Sequence, residues 1–502
     1  MRLAHLVPAA VVVLALGVIA AVAQSVRPAP ATTNQVSAAS HQVAITSAVR
    51  ACPPAQGDGS AKVALISGSL GSAGSPSSAS ALGPGQVELA PLPLAGAQLR
   101  AVSPISQADP DALSLLTLPA ASSLIKKGTT VSEGWSVTGS GAMAPAMEAE
   151  EAESSGLSSV RCGEPGSDIW FIGPGQQNGA SQIQLDLMNI DALAASVDVS
   201  VITEAGPAQA DGDTGITVPP HQTVTESLSS MGAGDSVVAV EVRTSIGRVA
   251  AAVWESSAAG STWLPSTTAP STSMVIPGVP PSGSAAVLFI ADPGDVSARV
   301  SVLAITPQGL YHPFEGQTED LPGNTATTVT LNPLGGTAAA LELTSNVPVA
   351  AAVLVPGSSQ GAFTAATSPI IEQAVVAGNI SGSGEAATVV LSAPAGAARV
   401  RLTEIAATAS GGHAAGPSPS VSQVVSVRAT HTLVVSVTAP KGAKSGSAFA
   451  VVIAPLPGSG PVYAARVETQ GQSTVVSIIP AVSALTTINL PPVRESYSAI
   501  SP

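Results

Sequence analysis

Aromatic and charged residues are both scarce in this chain of 502 residues: they make up 2% and 10% of it. An average soluble domain contains about 25% charged residues. The formal net charge is −14, so most of the few charges are acidic. Proteins that bind nucleic acid neutralise phosphates with Lys and Arg and stack bases on aromatic rings. The composition therefore argues against a nucleic-acid partner.

The chain contains two cysteines, Cys52 and Cys162, and each follows a Val-Arg pair within a few residues. An exported protein with an even number of cysteines normally pairs them. We therefore predict a Cys52–Cys162 disulfide; the alternative is two unrelated buried thiols. Because the two cysteines are 110 residues apart, close to the repeat spacing described below, we expect them at equivalent places in successive units.

The N-terminus resembles an export signal. Arg2 precedes an apolar run from Leu6 to Ala23, and the small residues at its end would allow cleavage before Gln24. A run of 18 apolar residues is also the lower limit for spanning a bilayer. A cleaved signal peptide and a single membrane anchor both remain open, and both place the rest of the chain outside the membrane. Lipoprotein anchoring is excluded because no cysteine stands directly after the run.

One short pattern returns along the chain. The run Val-Ala-Ala-Ala-Val occurs at Val249–Val253 and again at Val349–Val353, with weaker versions beginning at Val462 and Met143. The starting positions are 106, 100 and 113 residues apart. A period of about 100 residues is the size of one β-sandwich domain and is too long for the common solenoid repeats.

Short strands dominate the predicted secondary structure. The 48 Gly and 42 Pro favour turns over long helices, and segments such as Ile183–Leu187 and Val197–Val201 alternate apolar and polar residues as strands do. We predict an all-β fold: tandem immunoglobulin-like antiparallel β-sandwich units after one N-terminal hydrophobic helix. A β-propeller with two blades per unit is the alternative.

The predicted domains follow the repeat. They are a signal peptide or anchor at 1–23, a linker at 24–40, an irregular first unit at 41–155, three β-sandwich units at 156–268, 269–372 and 373–490, and a tail at 491–502. The glutamate-rich segment 148–155 is predicted to link the first unit to the second.

Motifs of enzyme chemistry are weak. Ser123 and Lys126 fit the Ser-x-x-Lys pattern of penicillin-recognising enzymes, and residues 444–446 resemble their Lys-Ser/Thr-Gly strand. In those enzymes the serine opens a helix, which brings the lysine beside it. Here Ser123 lies between predicted strands, so we interpret the match as chance.

No metal or cofactor site is predicted. The histidines do not have metal-ligand spacing; they are at positions 5, 41, 221, 312, 413 and 431. Asp211 and Asp213 lack the remaining positions of a calcium loop and are interpreted as a solvated turn. We accordingly expect no catalytic, cofactor-binding or metal-binding residues and no enzymatic activity.

Aromatic residues are concentrated at Trp170-Phe171, shortly after Cys162. A ligand platform is one interpretation of this pair. The favoured interpretation is that Trp170 packs beside the disulfide as the largest core side chain.

The segment Cys162–Gly175, followed by the strand-like run Leu185–Asn189, resembles a family of uncharacterised actinobacterial exported proteins. Members have one N-terminal hydrophobic segment and a conserved domain of unknown function, and many are encoded near a large membrane glycosyltransferase. The resemblance covers most of the chain after residue 40. It implies a cell-envelope setting but supplies no activity and no catalytic residues.

The expected function is that of a non-catalytic structural or interaction protein of the cell envelope. We expect it in the cell membrane, as a single-pass protein with an extracellular C-terminal region; the alternative is secretion after cleavage at Ala23. The expected partners are envelope proteins or glycans. A carbohydrate-binding accessory protein of a cell-wall glycosyltransferase system is the alternative function, and exposed rings at Trp170, Trp254 and Trp263 would favour it.

Overall fold

Strands with alternating buried and exposed residues build most of the structure, a computed structural model. In the segment Ala195–Thr203, the side chains of Val197, Val199 and Val201 are buried, while Asp198 is half-buried and Ser200 is exposed. This period of two is the pattern of a strand with one face in a core. The structure describes residues 41–56, 61–66, 85–96, 113–117, 133–153, 158–176, 180–208, 214–228, 235–257, 260–281, 285–332, 336–357, 361–378, 385–408, 419–443, 448–470 and 474–490.

The all-β class is confirmed. Within these ranges the helical part is a 3₁₀ turn at Gly141–Met143. No helix in the same ranges has the length and apolar character needed to cross a membrane. The predicted signal peptide or anchor, at residues 1–23, lies outside the described residues.

The chain divides into two compact bodies. The smaller comprises residues 1–43 and 489–502, and its described part belongs to β1 (His41–Ala44) and β34 (Thr487–Leu490), which form a two-stranded sheet. The larger body, residues 44–488, contains four sandwiches, called the first to the fourth in chain order.

Thirty-two strands in the described ranges belong to these four sandwiches. Those of the first are β2 (Ser47–Cys52), β3 (Ala61–Ile66), β4 (Gln86–Leu92), β5 (Leu113–Thr117), β6 (Gly134–Ser140), β7 (Glu148–Glu153) and β8 (Ser159–Arg161). Those of the second are β9 (Asp168–Pro174), β10 (Ala180–Asn189), β11 (Ala195–Thr203), β12 (Gly206–Ala208), β13 (Ile216–Val218), β14 (Gln222–Ser227), β15 (Val237–Ile246), β16 (Ala250–Ser257) and β17 (Gly260–Leu264).

The strands of the third and fourth sandwiches continue in chain order. The third contains β18 (Ser271–Val279), β19 (Val287–Asp292), β20 (Ala298–Thr306), β21 (Gly309–Tyr311), β22 (Thr318–Leu321), β23 (Thr325–Thr330), β24 (Ala339–Val355) and β25 (Ala362–Ala365). The fourth contains β26 (Ala374–Gly378), β27 (Glu385–Ala393), β28 (Ala398–Thr408), β29 (Ser420–Val427), β30 (His431–Val437), β31 (Phe449–Pro455), β32 (Tyr463–Gln470) and β33 (Thr474–Pro480).

Each sandwich is an antiparallel pair of layers with three and four principal strands, the division of an immunoglobulin-like sandwich. In the second sandwich the layers are β11-β15-β9 and β14-β10-β16-β17. The fourth repeats this as β28-β31-β26 and β30-β27-β32-β33. The third does so with one long strand, β24, whose first half pairs with β20 and β18 and whose second half pairs with β19 and β25.

The repeated pattern occupies the same register in three sandwiches. Ala251 pairs with Leu187, Ala351 with Ile290, and Ala464 with Leu391. The valines that open the two full copies, Val249 and Val349, are 0% and 1% exposed. Both are therefore core residues, and small alanines beside them allow the neighbouring layers to approach closely.

The predicted linker at 148–155 is wrong over its first six residues. Glu148–Glu153 forms strand β7, which pairs with β3 on one side and β8 on the other. The side chains of Glu148, Glu150 and Glu151 are buried. A glutamate run is compatible with a buried strand here because arginines from distant parts of the chain meet two of its carboxylates, as described below.

The predicted disulfide is present between Cys52 and Cys162, but the cysteines are not at equivalent places in successive units. Cys52 ends β2 and pairs with Trp135 on β6. Cys162 follows β8, and its N–H donates to the carbonyl of Ala149 on β7. Both cysteines therefore belong to the first sandwich, where the bridge joins the two layers.

The four sandwiches share cores with one another in a closed cycle. Phe171 of the second clusters with Phe289 of the third. Val353 of the third clusters with Val467 of the fourth, and buried residues of the fourth cluster with Ala152 of the first. The cycle closes where the first and second sandwiches share a cluster. Strand β5 also pairs in parallel with β28, which merges one layer of the first sandwich with one of the fourth.

Candidate functional site

The last strands of the four sandwiches, β8, β17, β25 and β33, meet at the centre of this cycle, each in contact with the next. A cavity of about 380 Å³ lies among them, between β8, β17 and β33 and the chain that leads into β9. That volume falls within the usual range of ligand pockets, about 300–1,000 Å³. Three sandwiches line the cavity, so it exists only when they are packed together.

The walls of the cavity are largely apolar. The second sandwich contributes the side chains of Phe171, Trp263 and Leu264, and β33 of the fourth contributes Ile478 and Ile479. These five residues are 2–5% exposed. Ligand pockets typically combine such walls with a few polar groups at fixed places.

The segment Cys162–Gly175, which carries the family resemblance, supplies much of the lining. It passes from the end of β8 into β9, and Gly163 to Gly166 edge the cavity. The N–H and carbonyl of Gly166 exchange hydrogen bonds of 2.9 and 3.0 Å with the backbone of Val249. The repeated pattern therefore anchors this segment through the backbone.

Charged groups lie at the rim. Arg161, Glu164 and Asp168 all line the cavity. The guanidinium of Arg161 donates a hydrogen bond of 2.7 Å from Nη2 to Glu148 Oε1. Its Nε is buried and has no acceptor in the described part of the chain. The side chain of Glu164 is 68% exposed and lies 3.5 Å from Arg50 Nη1, so the rim presents a carboxylate to solvent.

Glu148 stands between two guanidinium groups, since Arg50 Nη2 also donates to its Oε1, at 2.9 Å. Burial alone would raise the pKa of this carboxyl, but the charges of Arg161 and Arg50 outweigh burial and hold the pKa below its usual value. Glu148 is therefore ionised at neutral pH, and it fixes the position of Arg161 at the cavity.

A second buried ion cluster lies beside the first. Arg466 on β32 is fully buried, and its Nη1 is 3.3 Å from carboxylate oxygens of both Glu150 and Glu468. Its Nη2 donates to the hydroxyls of Ser159 and Ser477, at 2.9 and 3.0 Å. Burial raises the pKa of Glu150 to about 7, against the opposing charge of Arg466. This cluster joins the first sandwich to the fourth behind the cavity.

Arg466 was missed by the sequence interpretation, although the repeat contains a signal for it. Arg466 takes the place of the last valine of the pattern: it pairs with Val389 as Val253 pairs with Leu185 and Val353 with Leu288. An arginine at a core valine position indicates a buried carboxylate partner.

Trp170 and Phe171, the adjacent aromatic pair, lie in different environments. Trp170 is buried in the second sandwich, so the prediction of a core position is confirmed and the prediction of packing beside the disulfide is wrong. Trp135 is the tryptophan that packs there, because it lies opposite Cys52 on the adjacent strand. Phe171 lines the cavity.

The remaining candidates do not converge on the cavity. His221 and His312 are exposed, and Nδ1 of His431 lies 2.7 Å from the carbonyl oxygen of Ala429. No group of three His, Cys, Asp or Glu side chains in the described ranges could hold a metal ion. Several candidates lie outside the described residues: Ser123, Lys126, residues 444–446, Asp211, Asp213, His5 and His413.

Comparison with known proteins gives one match. No curated protein and no solved structure matches the chain. Residues 127–440 match a family of unknown function, DUF5719. The matched span includes the segment Cys162–Gly175 and the second and third sandwiches. Because it is more than half of the chain, the protein belongs to this family of unknown function.

Proposed function

We propose that this protein is a membrane-tethered, non-catalytic interaction protein on the outer side of an actinobacterial cell membrane. Its central cavity receives an apolar group of an envelope partner, with Arg161 and Glu164 binding the polar atoms beside that group. The observation that carries the proposal is the cavity itself: apolar walls from two sandwiches and a charged rim.

An exported location is supported by the disulfide. Cys52 and Cys162 are bonded and fully buried, and structural disulfides persist in oxidising compartments. The apolar run at Leu6–Ala23 supports tethering. The resemblance supports a setting near a membrane glycosyltransferase. Protease added to intact cells should therefore degrade the chain, and its non-reduced peptides should include the Cys52–Cys162 pair.

The polar side chains that line the cavity favour a binding role over catalysis. Arg161 is already neutralised by Glu148, and no histidine is among the residues that line the cavity. The sugar-binding alternative is not favoured, because the rings of Trp170 and Trp263 are each 4% exposed and Trp254 is half-buried, so none of the three is a fully exposed ring on which a sugar could stack.

The cavity is tested by site-specific photo-crosslinking in native envelope. A photoreactive phenylalanine analogue replaces Ser266, an exposed residue at the edge of the cavity. The control carries the same analogue at Val296, which is 63% exposed on the third sandwich. We expect a discrete adduct from position 266 and none from position 296. The same adducts from both positions, or none from 266, would refute the cavity as the binding site.

A further inference from the structure

Strand β29 has one edge that pairs with no other strand in the described part of the chain. Its other edge pairs with β28 over eight consecutive residues, from Ser420 to Val427, without a register shift. Such a regular edge presents a row of backbone donors and acceptors to another strand.

The ladder shows which groups are available. The N–H of Ala406 donates to the carbonyl of Pro419 at 2.9 Å, so this pair is a hydrogen-bonded one. Hydrogen-bonded and non-bonded pairs alternate in an antiparallel ladder. The backbone groups directed away from β28 are therefore those of Ser420, Ser422, Val424 and Ser426.

In two other sandwiches, two short strands occupy the edge position that the single long strand β29 occupies in the fourth. In the second, β11 is covered there by the short strands β12 and β13. In the third, β20 is covered by β21 and β22, and β22 carries Glu319 and Asp320. Short and charged edge strands are common protections against pairing with other chains. Strand β29 contains only Ser, Val and Gln and has neither protection.

The charge around this edge differs from that of the whole chain. Arg399 and Arg401 on β28 pair with Ser426 and Val424, and the exposed Arg428 follows the end of β29. No acidic residue occurs from 419 to 437, and Glu404 on β28 is buried. In a chain of net charge −14, this edge is locally basic.

The basic edge disfavours a second copy, because self-pairing would bring two arginine clusters together. It favours a strand that carries carboxylates. A strand added to β29 would lie about 4.8 Å beyond it and about 10 Å from β28, a gap that an arginine and a glutamate side chain span together. Val421, which is 49% exposed, lies on the face of β29 opposite that of Val424 and Ser426, and it would pack against apolar residues of the added strand.

We propose that β29 is a docking edge for an extended, acidic segment of a partner protein. The segment adds a strand through the backbone groups of Ser420, Ser422, Val424 and Ser426 and directs its carboxylates to Arg399. This is β-augmentation, in which the main chain supplies affinity and the side chains supply specificity. The site is separate from the central cavity and does not depend on it.

The test uses the full-length protein and a fluorescent nine-residue peptide of alternating valine and glutamate, followed by anisotropy. A valine–lysine peptide of the same length is the comparison probe. We expect the acidic peptide to bind at least about tenfold more tightly, with an affinity that falls as salt is added. The variant Arg399→Gln should reduce that preference.

The edge itself is tested with Val424→Pro, which removes a donor directed away from β28 and leaves the existing ladder intact. Its matched control is Val424→Thr, which keeps the N–H. We expect about a tenfold loss of acidic-peptide binding for Val424→Pro and unchanged binding for Val424→Thr. If Val424→Pro fails to fold, a peptide N-methylated at alternate residues replaces it and should not bind.

Equal binding of the two peptides would overturn the proposal, as would full binding by Val424→Pro or by the N-methylated peptide. A dimer in sedimentation that Val424→Pro abolishes would assign the edge to a second copy and would also overturn it.

Discussion

Among the buried carboxyl groups with raised pKa values, Glu150 and Glu255 reach about 7 and Asp186 about 6. Burial is the main cause in all three. Asp186 accepts hydrogen bonds from Thr225 and Gln184, which oppose the shift, and Arg466 opposes it at Glu150. At Glu255 burial acts alone, and Oε1 has no partner among the described residues. Each of these groups destabilises the folded state when it ionises.

We predict that Glu255→Gln stabilises the protein at pH 8 and not at pH 4. The pKa of Glu255 is about 7 in the folded state against 4.5 ordinarily, so protonation favours folding. That stability is fully present below pH 4.5 and is lost as the pH rises to about 7. The loss is on the order of 3 kcal/mol, and glutamine would avoid it. Urea unfolding across this pH range measures the effect, with the exposed Glu315→Gln as control. A constant difference between the Glu255 variant and wild type at all pH values would contradict the prediction.

We predict that Val349→Asp destabilises the folded state of the larger body, residues 44–488, as a whole. Val349 is 1% exposed and lies where β24 passes between layers, so the variant would bury an unpaired carboxylate at a cost of several kcal/mol. Val296→Asp places the same change at a side chain that is 63% exposed and should alter stability by less than about 0.5 kcal/mol. Thermal unfolding compares the two. Equal melting temperatures would show that Val349 is not a core residue in solution.

At the scale of the strand, the local sequence pattern predicted strands correctly where their side chains pack in a core of the same sandwich. The runs at Val249 and Val349 were placed correctly because they are uniformly apolar and pair with neighbouring strands of the same sandwich. Strand β7 was misread because its glutamates are matched by Arg50 and Arg466, which lie far away in sequence. Charge pairing over such separations has no local signature. The disulfide could be predicted from the even number of cysteines, but the strands on which the two cysteines lie could not.

One close approach between strands gives a test of element packing. Gly278 on β18 has a left-handed backbone, with φ of 78°, and a Cβ there would clash with the methyl of Ala465 on β32. We predict that Gly278→Ala destabilises the protein by about 2–4 kcal/mol, from overpacking and backbone strain together.

The control for that prediction is Gly336→Ala. Gly336 has a similar φ of 68°, and no described residue lies within 4 Å of the position of its added Cβ. Only the backbone strain applies, so its cost should be about 1 kcal/mol. Chemical unfolding of the two variants separates strain from steric contact. Equal losses would mean that the third and fourth sandwiches do not meet closely at this point.

At the scale of the whole molecule, the cavity could be predicted only in part. The segment Cys162–Gly175 was recognisable as the most specific stretch of the sequence, and it does edge the cavity. The opposite wall, Ile478 and Ile479, comes from a strand about 300 residues later. A repeat pattern predicts how each sandwich folds and says nothing about how four of them close a cycle. The sequence therefore does not predict which residues of different sandwiches meet to form the walls of the cavity.

The shared cores predict how the larger body unfolds. Tandem sandwiches on a string would melt independently, but here the third and fourth share one cluster, and the fourth and first share another that is reinforced by Arg466 and Glu150. Removing the fourth sandwich exposes apolar surface on the third and the first and leaves Glu150 without its cation. We therefore predict a single cooperative transition for residues 44–488 in calorimetry, with equal calorimetric and van't Hoff enthalpies. We also predict that Arg466→Met lowers that one transition and does not split it. A variant that melts in two steps, with the fourth sandwich first, would show that the cores are only in contact and are not energetically coupled.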